Sequence, residues 1–216
     1  MLSRHGYSVQ DRPVNVAANR ARLIELGFLS VPVVEVAGRA FAGFPVRNLT
    51  VNLGLARARL SAAATHKVLA EALDALESVA DTLPQLPASM WTEQAYPLQP
   101  ERNHTFGHFT WGMFRFLELT LLAPARGGLP WEDLKDSVQN QDWRAAHHFA
   151  SFQDVRGYAE PLLERASVWR RGIAVDALRQ PLETPWGGLE LHVLIGILGE
   201  HTEIKRDHLL KRLAAG

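Results

Sequence analysis

The chain has 216 residues, 47% of them hydrophobic, and 23 basic side chains against 23 acidic ones, enough apolar material for one medium domain or two small ones. Balanced charge without a block of like sign argues against a nucleic-acid partner and against attraction to a membrane surface. Cysteine is absent, which excludes disulfides, thiolate nucleophiles, zinc–thiolate sites and thiol redox chemistry by these residues. No apolar run suits a signal peptide or a membrane span, so a cytoplasmic location is expected.

The N-terminal part reads as a strand over 7–16, a helix over 17–26, a strand over 30–36, a turn at Ala37-Gly38, a short strand over 39–42 and a helix from about residue 47. Beyond it, apolar residues recur at helical spacing. Leu69, Leu73, Leu76, Val79 and Leu83 mark one face of a helix over 61–83, ended by Pro84 and Pro87. A second helix is predicted over 103–123, with Phe106, Phe109, Met113, Phe116 and Thr120 on one face, closed by Pro124 and Gly127-Gly128. Residues 129–150 read as a long loop with a short helical piece over 130–137. Ser151 and Asp154 have the spacing of a capping box for a third helix reaching about residue 171, kinked by Gly157 and Pro161. Thr184-Pro185-Trp186-Gly187-Gly188 then introduces a fourth helix over 189–213, with Trp186 plugging its entry.

On that fourth helix the stripe Leu191, Leu194, Leu198 continues through His201 and Lys205 to His208 and Leu209. A buried Lys or His carries a desolvation cost and needs a partner, which makes these positions candidates for a site in the bundle core. The plainer alternative is a Lys205 that snorkels to solvent and a His201 satisfied within the core. His104 and His108 stand at i and i+4, a spacing that places two imidazoles on one metal, although nine histidines make such a pair easy to obtain by chance. Trp111, Phe114 and Phe116 read as core aromatics. No Ser/His/Asp order, phosphate-cradling glycine loop or pair of acids stands out.

Two stretches resemble known families. Leu26-Gly27-Phe28-Leu29-Ser30-Val31-Pro32-Val33-Val34-Glu35-Val36, with Gly38, Gly43 and Phe44, is similar to the second half of a glutaredoxin, and residues 1–6 resemble only the end of the helix that bears its Cys-x-x-Cys motif. Residues 109–118 resemble the second-helix motif of the DinB/YfiT-like superfamily, with Gly112 where that family has a metal-binding histidine. Residues 184–209 resemble its fourth-helix motif, which ends His-x-x-x-His-x-x-Gln-Leu; His201 matches the first ligand, Lys205 replaces the second, and His208 stands at the glutamine.

The resemblance implies an α+β, mainly α protein: a truncated glutaredoxin/thioredoxin-like segment over 1–56 and a DinB/YfiT-like four-helix bundle over 57–216. The superfamily is associated with three-histidine metal sites and, in some members, with metal-dependent transfer of low-molecular-weight thiols. One inherited ligand of three is kept here, so no cofactor and no usual site are expected. Val31-Pro32 matches the cis-proline step against which a thiol substrate pairs. In the family pattern both redox cysteines lie upstream of Met1, so either the native start lies further upstream or the domain is degenerate. The family sheet also places a missing strand between 7–16 and 30–36, leaving a gap of ~9.6 Å, to be closed by direct pairing or by a strand from another subunit. A homo-oligomer, a dimer, is therefore expected.

The function expected is that of a non-redox binding or assembly protein for a small thiol-related molecule, held near Trp111, Gly112, His201 and Lys205 with Val31 and Pro32 contributing, and without an assigned catalytic residue. Lys205 is expected to replace the lost cation and to take a carboxylate or carbonyl partner such as Glu118. The competing reading is a metal-dependent thiol transferase with zinc or nickel on a displaced site. The implied topology makes helices two and four antiparallel, so His108 and His208, each displaced by about one turn or ~6 Å, stay level, with His104 or Asp207 as third ligand. A third reading, a structural dimerisation module, predicts a large apolar surface on the first or second helix.

Overall fold

The computed structural model describes residues 7–28, 33–42, 53, 62–97, 104–129, 149–184 and 187–214. They form a mainly helical α+β structure with two small antiparallel two-stranded sheets. Contacts divide the chain into two compact units, Met1–Arg59 and Leu60–Gly216.

The first unit contains a helix, Ala17–Glu25 (α1), and a hairpin of Val33–Val36 (β1) with Arg39–Ala42 (β2). Val36 pairs with Arg39, so Ala37 and Gly38 form a two-residue loop, and both have positive φ (49° and 76°), as the twist-matched type I′ hairpin turn requires. Arg22 joins helix to hairpin, donating to Glu35 and to Glu25 at 2.7 Å each; the hydrogen bond from Arg22 holds the Glu35 carboxyl below its usual range. No residue of α1 is buried.

Residues 7–16 are not a strand, contrary to the sequence expectation. Pro13 has no N–H to give to a ladder. Its carbonyl instead accepts from Val16 N at 3.3 Å and Asn19 Nδ2 at 2.9 Å, which turns the chain into α1. Without that strand there is no open ladder in 7–16 to close, and the reason for recruiting a strand from another subunit falls away. Residues 30–32 and the helix expected from residue 47 lie outside the described residues.

The second unit is built from four long helices: Ala62–Thr82 (α2), Phe106–Arg126 (α3), Phe152–Gly172 (α4) and Leu191–Ala214 (α5). α2 and α3 each pack on both α4 and α5, around one continuous core that includes Leu69, Leu76, Phe109, Leu117, Val155, Leu194 and Leu198. α2 gives way at Leu83–Gln85 to a 3-10 turn that holds Pro84. α3 starts on Thr105, whose hydroxyl accepts from His108 N. Pro124 lies inside α3 instead of ending it; Gly127 closes the helix in the left-handed region, φ 72°, with its N–H on Ala123 O.

Gly128 then passes so close to the chain at 183 that a Cβ would sit 2.3 Å from Glu183 O. Here Leu129 N donates to Glu183 O and Glu183 N to Gly127 O. The capping box at Ser151 forms as read: Ser151 Oγ accepts from Asp154 N, and Asp154 Oδ2 accepts from Ala150 N and Ser151 Oγ. These bonds hold the Asp154 carboxyl below its usual range. α4 runs as one helix through Gly157 and Pro161, and residues 130–148 lie outside the described residues.

Thr184 and Gly187-Gly188 differ from expectation. They are not a helix entry but belong to paired strands, Pro181–Thr184 (β3) against Gly187–Glu190 (β4), and α5 begins only at Leu191. Leu182 and Leu189 face each other across the two strands, both buried; such a cross-strand apolar pair stabilises a hairpin, whereas each glycine inside a helix would cost about 1 kcal/mol relative to alanine. Trp186 lies outside the described residues.

Candidate functional site

The order of contacts makes α3 and α5 antiparallel. Phe109 meets Lys205 and His208, whereas Phe116, seven residues on, meets His201. His201 stands edge-on to Phe116, ring centroids 5.2 Å apart at 89°. Its Nδ1 is enclosed and has no hydrogen-bond partner among the described residues. Burial pushes the imidazole well below its usual pKa, and the charge of Lys205 one turn away adds to this, so His201 is neutral at pH 7.

Lys205 is half-buried. Its Nζ lies 3.5 Å from Phe109 O and 4.8 Å from the centroid of the Phe109 ring. A carbonyl and an aromatic face thus attend the ammonium, the latter by cation–π attraction.

Glu118, the carboxylate named for Lys205, is engaged elsewhere. It accepts from Arg115 within α3, and from the Tyr158 hydroxyl of α4 at 2.7 Å. Burial, with the hydrogen bond to Glu118, pushes the Tyr158 hydroxyl well above its ordinary pKa, so it remains a donor. At 3.6 residues per turn, Glu118 projects about 180° round α3 from Phe109.

The same geometry separates Trp111 from the pair on α5. Trp111 is fully buried and projects about 160° round α3 from Phe109; its ring neighbours His108 at 5.8 Å. The expected cleft that joins Trp111 with His201 and Lys205 is therefore not formed. Gly112, half-buried, lies between Phe109 and Phe116 along α3 and within about 60° of both, level with the His201–Lys205 turn of α5.

His104 and His108 are brought together, their rings 4.4 Å apart. His208 joins a different cluster, with Tyr96 at 5.2 Å, Phe109 at 5.3 Å and Phe106 at 5.9 Å, and its Nε2 lies 2.7 Å from Ala95 O. Since a carbonyl only accepts, Nε2 carries the proton of that bond and is not available as a ligand. Asp207 accepts from Arg206. No group of three or more His, Cys, Asp or Glu side chains able to hold a metal occurs among the described residues, so the displaced site of His104, His108 and His208 is not assembled there. Val31 and Pro32 lie outside the described residues.

Two features carry no local sequence signal. Thr202, fully buried beside His201, has an Oγ without a hydrogen-bond partner among the described residues; Thr110 and Thr120, by contrast, donate to Phe106 O and Phe116 O one turn back. An isolated polar residue in a buried run was its only mark. The second is the segment Glu93–Tyr96, which lies across the start of α3 and the end of α5 through Ala95–His208 and a two-pronged Arg212–Glu93 pair at 2.5 and 2.8 Å. These contacts join residues more than a hundred positions apart, beyond any local pattern. An apolar groove of about 240 Å³ is lined by residues that include Leu83, Leu86, Trp91 and Phe152 and by none of these polar groups.

No helix among the described residues is long and apolar enough to cross a membrane. Compared with known proteins, the chain matches no family model, no curated protein and no solved structure.

Proposed function

We propose that this protein binds a small thiol-related molecule in the seam between α3 and α5, at His201 and Lys205, and does not act as a redox enzyme. The observation that carries the reading is the enclosed His201 Nδ1 without a hydrogen-bond partner among the described residues, one turn from a half-buried ammonium. A buried polar atom left unpaired costs about 1–3 kcal/mol, and a ligand that pairs with it recovers that cost. A neutral imidazole can donate to or accept from such a ligand, and Lys205 favours an anionic group, a thiolate or a carboxylate. The chain has no cysteine, so the sulfur belongs to the ligand.

The DinB/YfiT-like reading is supported by the antiparallel α3 and α5 and by Gly112 standing level with His201 and Lys205. The helix-then-hairpin order of the first unit is compatible with a degenerate glutaredoxin-like segment that serves assembly and not chemistry. The competing metal-dependent thiol transferase reading retains the ring contact of His104 with His108, two ligands where an open catalytic site needs about three.

Calorimetric titration with N-acetylcysteine, with protein purified without chelator or histidine tag and assayed for metal, tests both. Saturable binding by metal-free protein, lost in His201→Gln, is expected. Binding that requires bound zinc or nickel transfers the assignment to the enzyme, and no binding in either form removes both.

A further inference from the structure

Tyr96, His208 and Lys205 converge on one ring. Tyr96 packs on Phe109 at 5.7 Å and on His208 at 5.2 Å, and the Lys205 ammonium lies 4.8 Å from the same Phe109 centroid. Tyr96 is the last of four residues, Glu93–Tyr96, held at two edges by bonds of different kinds. On the α3 side the hold is backbone: Ala95 N donates to His104 O at 2.8 Å and Phe106 N to Glu93 O at 2.9 Å, around the single bridge of Gln94 with Thr105. On the α5 side the bonds come from side chains: His208 Nε2 on Ala95 O, and the Arg212 guanidinium on both oxygens of Glu93.

A short, two-bond bridge is a weak ladder, whereas a bidentate Arg–carboxylate pair fixes both distance and orientation. Arg212 sits in the last turn of α5, where a helix has the fewest intrahelical constraints. The pair is about one-third exposed on each side, so it can exchange with water without disturbing the core. Segment 93–96 is therefore pinned against a weak bridge on α3 by an exposed side-chain fastening on α5, so release of the fastening loosens both edges, and its Tyr96 shares the Phe109 ring with Lys205.

We propose that Glu93–Tyr96 is a strap over the Lys205 end of the α3–α5 seam, latched by Arg212 and His208, and that the seam opens when the latch releases, with the helices staying packed. This does not depend on which ligand the seam takes, so the test uses none.

Lysine acylation with N-hydroxysuccinimidyl acetate, read residue by residue by mass spectrometry, compares Lys205 with Lys67, whose side chain is 75% exposed and serves as the internal standard. In the intact protein Lys205 should react at least several-fold more slowly than Lys67. Arg212→Ala and, separately, Glu93→Gln should accelerate Lys205 several-fold relative to Lys67, while the amides of Ala95 and Phe106 exchange with deuterium faster and the interior amides of α3 keep their protection. Three results overturn the proposal: Lys205 reactivity unchanged while the Ala95 and Phe106 amides exchange faster, which makes the segment mobile but not a gate; neither quantity changed, which removes the latch; or Lys205 accelerated together with the α3 interior, which assigns the effect to loss of helix packing.

Discussion

α3 borders polar side chains on two opposite sides, and the two are treated differently. Toward α4, Arg115, Glu118 and Tyr158 form a closed set in which the carboxylate accepts from both partners. Toward α5, His201 keeps an enclosed nitrogen without a partner among the described residues, and Lys205 is met by a carbonyl at 3.5 Å and a ring face. A satisfied buried network specifies packing and requires nothing further. An unpaired buried nitrogen next to a cation is a cost the fold carries on its own, and such costs persist where function uses them. The first seam is complete within the scaffold; the second is the one that the proposed ligand would complete.

The largest expected effect tests the α5 side. If the resemblance carries ligand positions correctly, Gly112→His combined with Lys205→His completes a three-imidazole set with His201. Zinc at about a thousand times its Kd should then stabilise the variant by roughly 4 kcal/mol, read as a zinc-dependent rise in melting temperature. A melting temperature indifferent to zinc breaks the positional match between Gly112, His201 and Lys205.

Next in size is the contrast between the two seams. Glu118→Ala leaves Arg115, whose side chain is 18% exposed, and the Tyr158 hydroxyl without their shared acceptor, and should cost about 2–3 kcal/mol in urea unfolding. Lys205→Met removes the long hydrogen bond to Phe109 O and the cation–π contact with the Phe109 ring but puts apolar atoms in the same half-buried space, and should cost only about 1 kcal/mol. The reverse ranking would make the α5 side the structural one.

The smallest effect is in pH. His201 titrates near 6.5 when unfolded and below that in the fold, so on acidification the unfolded chain takes up the proton first. The contribution is fully present above the unfolded value and is lost as pH falls below about 6.5, by up to about 1.4 kcal/mol per unit, until the folded value is passed. Asp154, whose folded value is also lowered, from 3.8, loses its contribution only in more acidic solution. Stability of the parent protein and of His201→Gln, compared between pH 7 and pH 5, should converge or cross as pH falls. A constant difference would mean that the imidazole is not buried in neutral form.

Much of this architecture was legible because it is written locally. The 3.6-residue spacing of Leu69, Leu73 and Leu76 gives α2 within a residue or two, and Ser151 with Asp154 marks the start of α4. The positive-φ loop at Ala37-Gly38 was visible as a turn. The 181–190 hairpin was not, because Leu182 and Leu189 acquire meaning only when they face each other, and Gly187-Gly188 before an apolar run looks the same as a helix boundary. Residues 7–16 were misread as a strand because the implied partners came from a resemblance and not from the residues, which include Pro13. Of the candidate site, the stripe through His201 and Lys205 was legible from periodicity. The placement of Trp111 and Glu118 away from it follows from the rotation of α3, which is set by which residues α4 and α5 cover. Tyr96, Glu93 and Arg212 entered only through tertiary contact.

The state of one nitrogen decides the assignment of the α3–α5 seam. ¹⁵N NMR of the His201 imidazole, assigned by the signal lost in His201→Gln, reports both its protonation and its hydrogen bonding at pH 7. The prediction is a neutral ring whose Nδ1 resonance shifts saturably as N-acetylcysteine is added, with a smaller shift or weaker affinity in Lys205→Met. A His201 that is already protonated at pH 7, or an Nδ1 resonance that does not move while N-acetylcysteine saturates the protein, would contradict the assignment of the α3–α5 seam as the binding site.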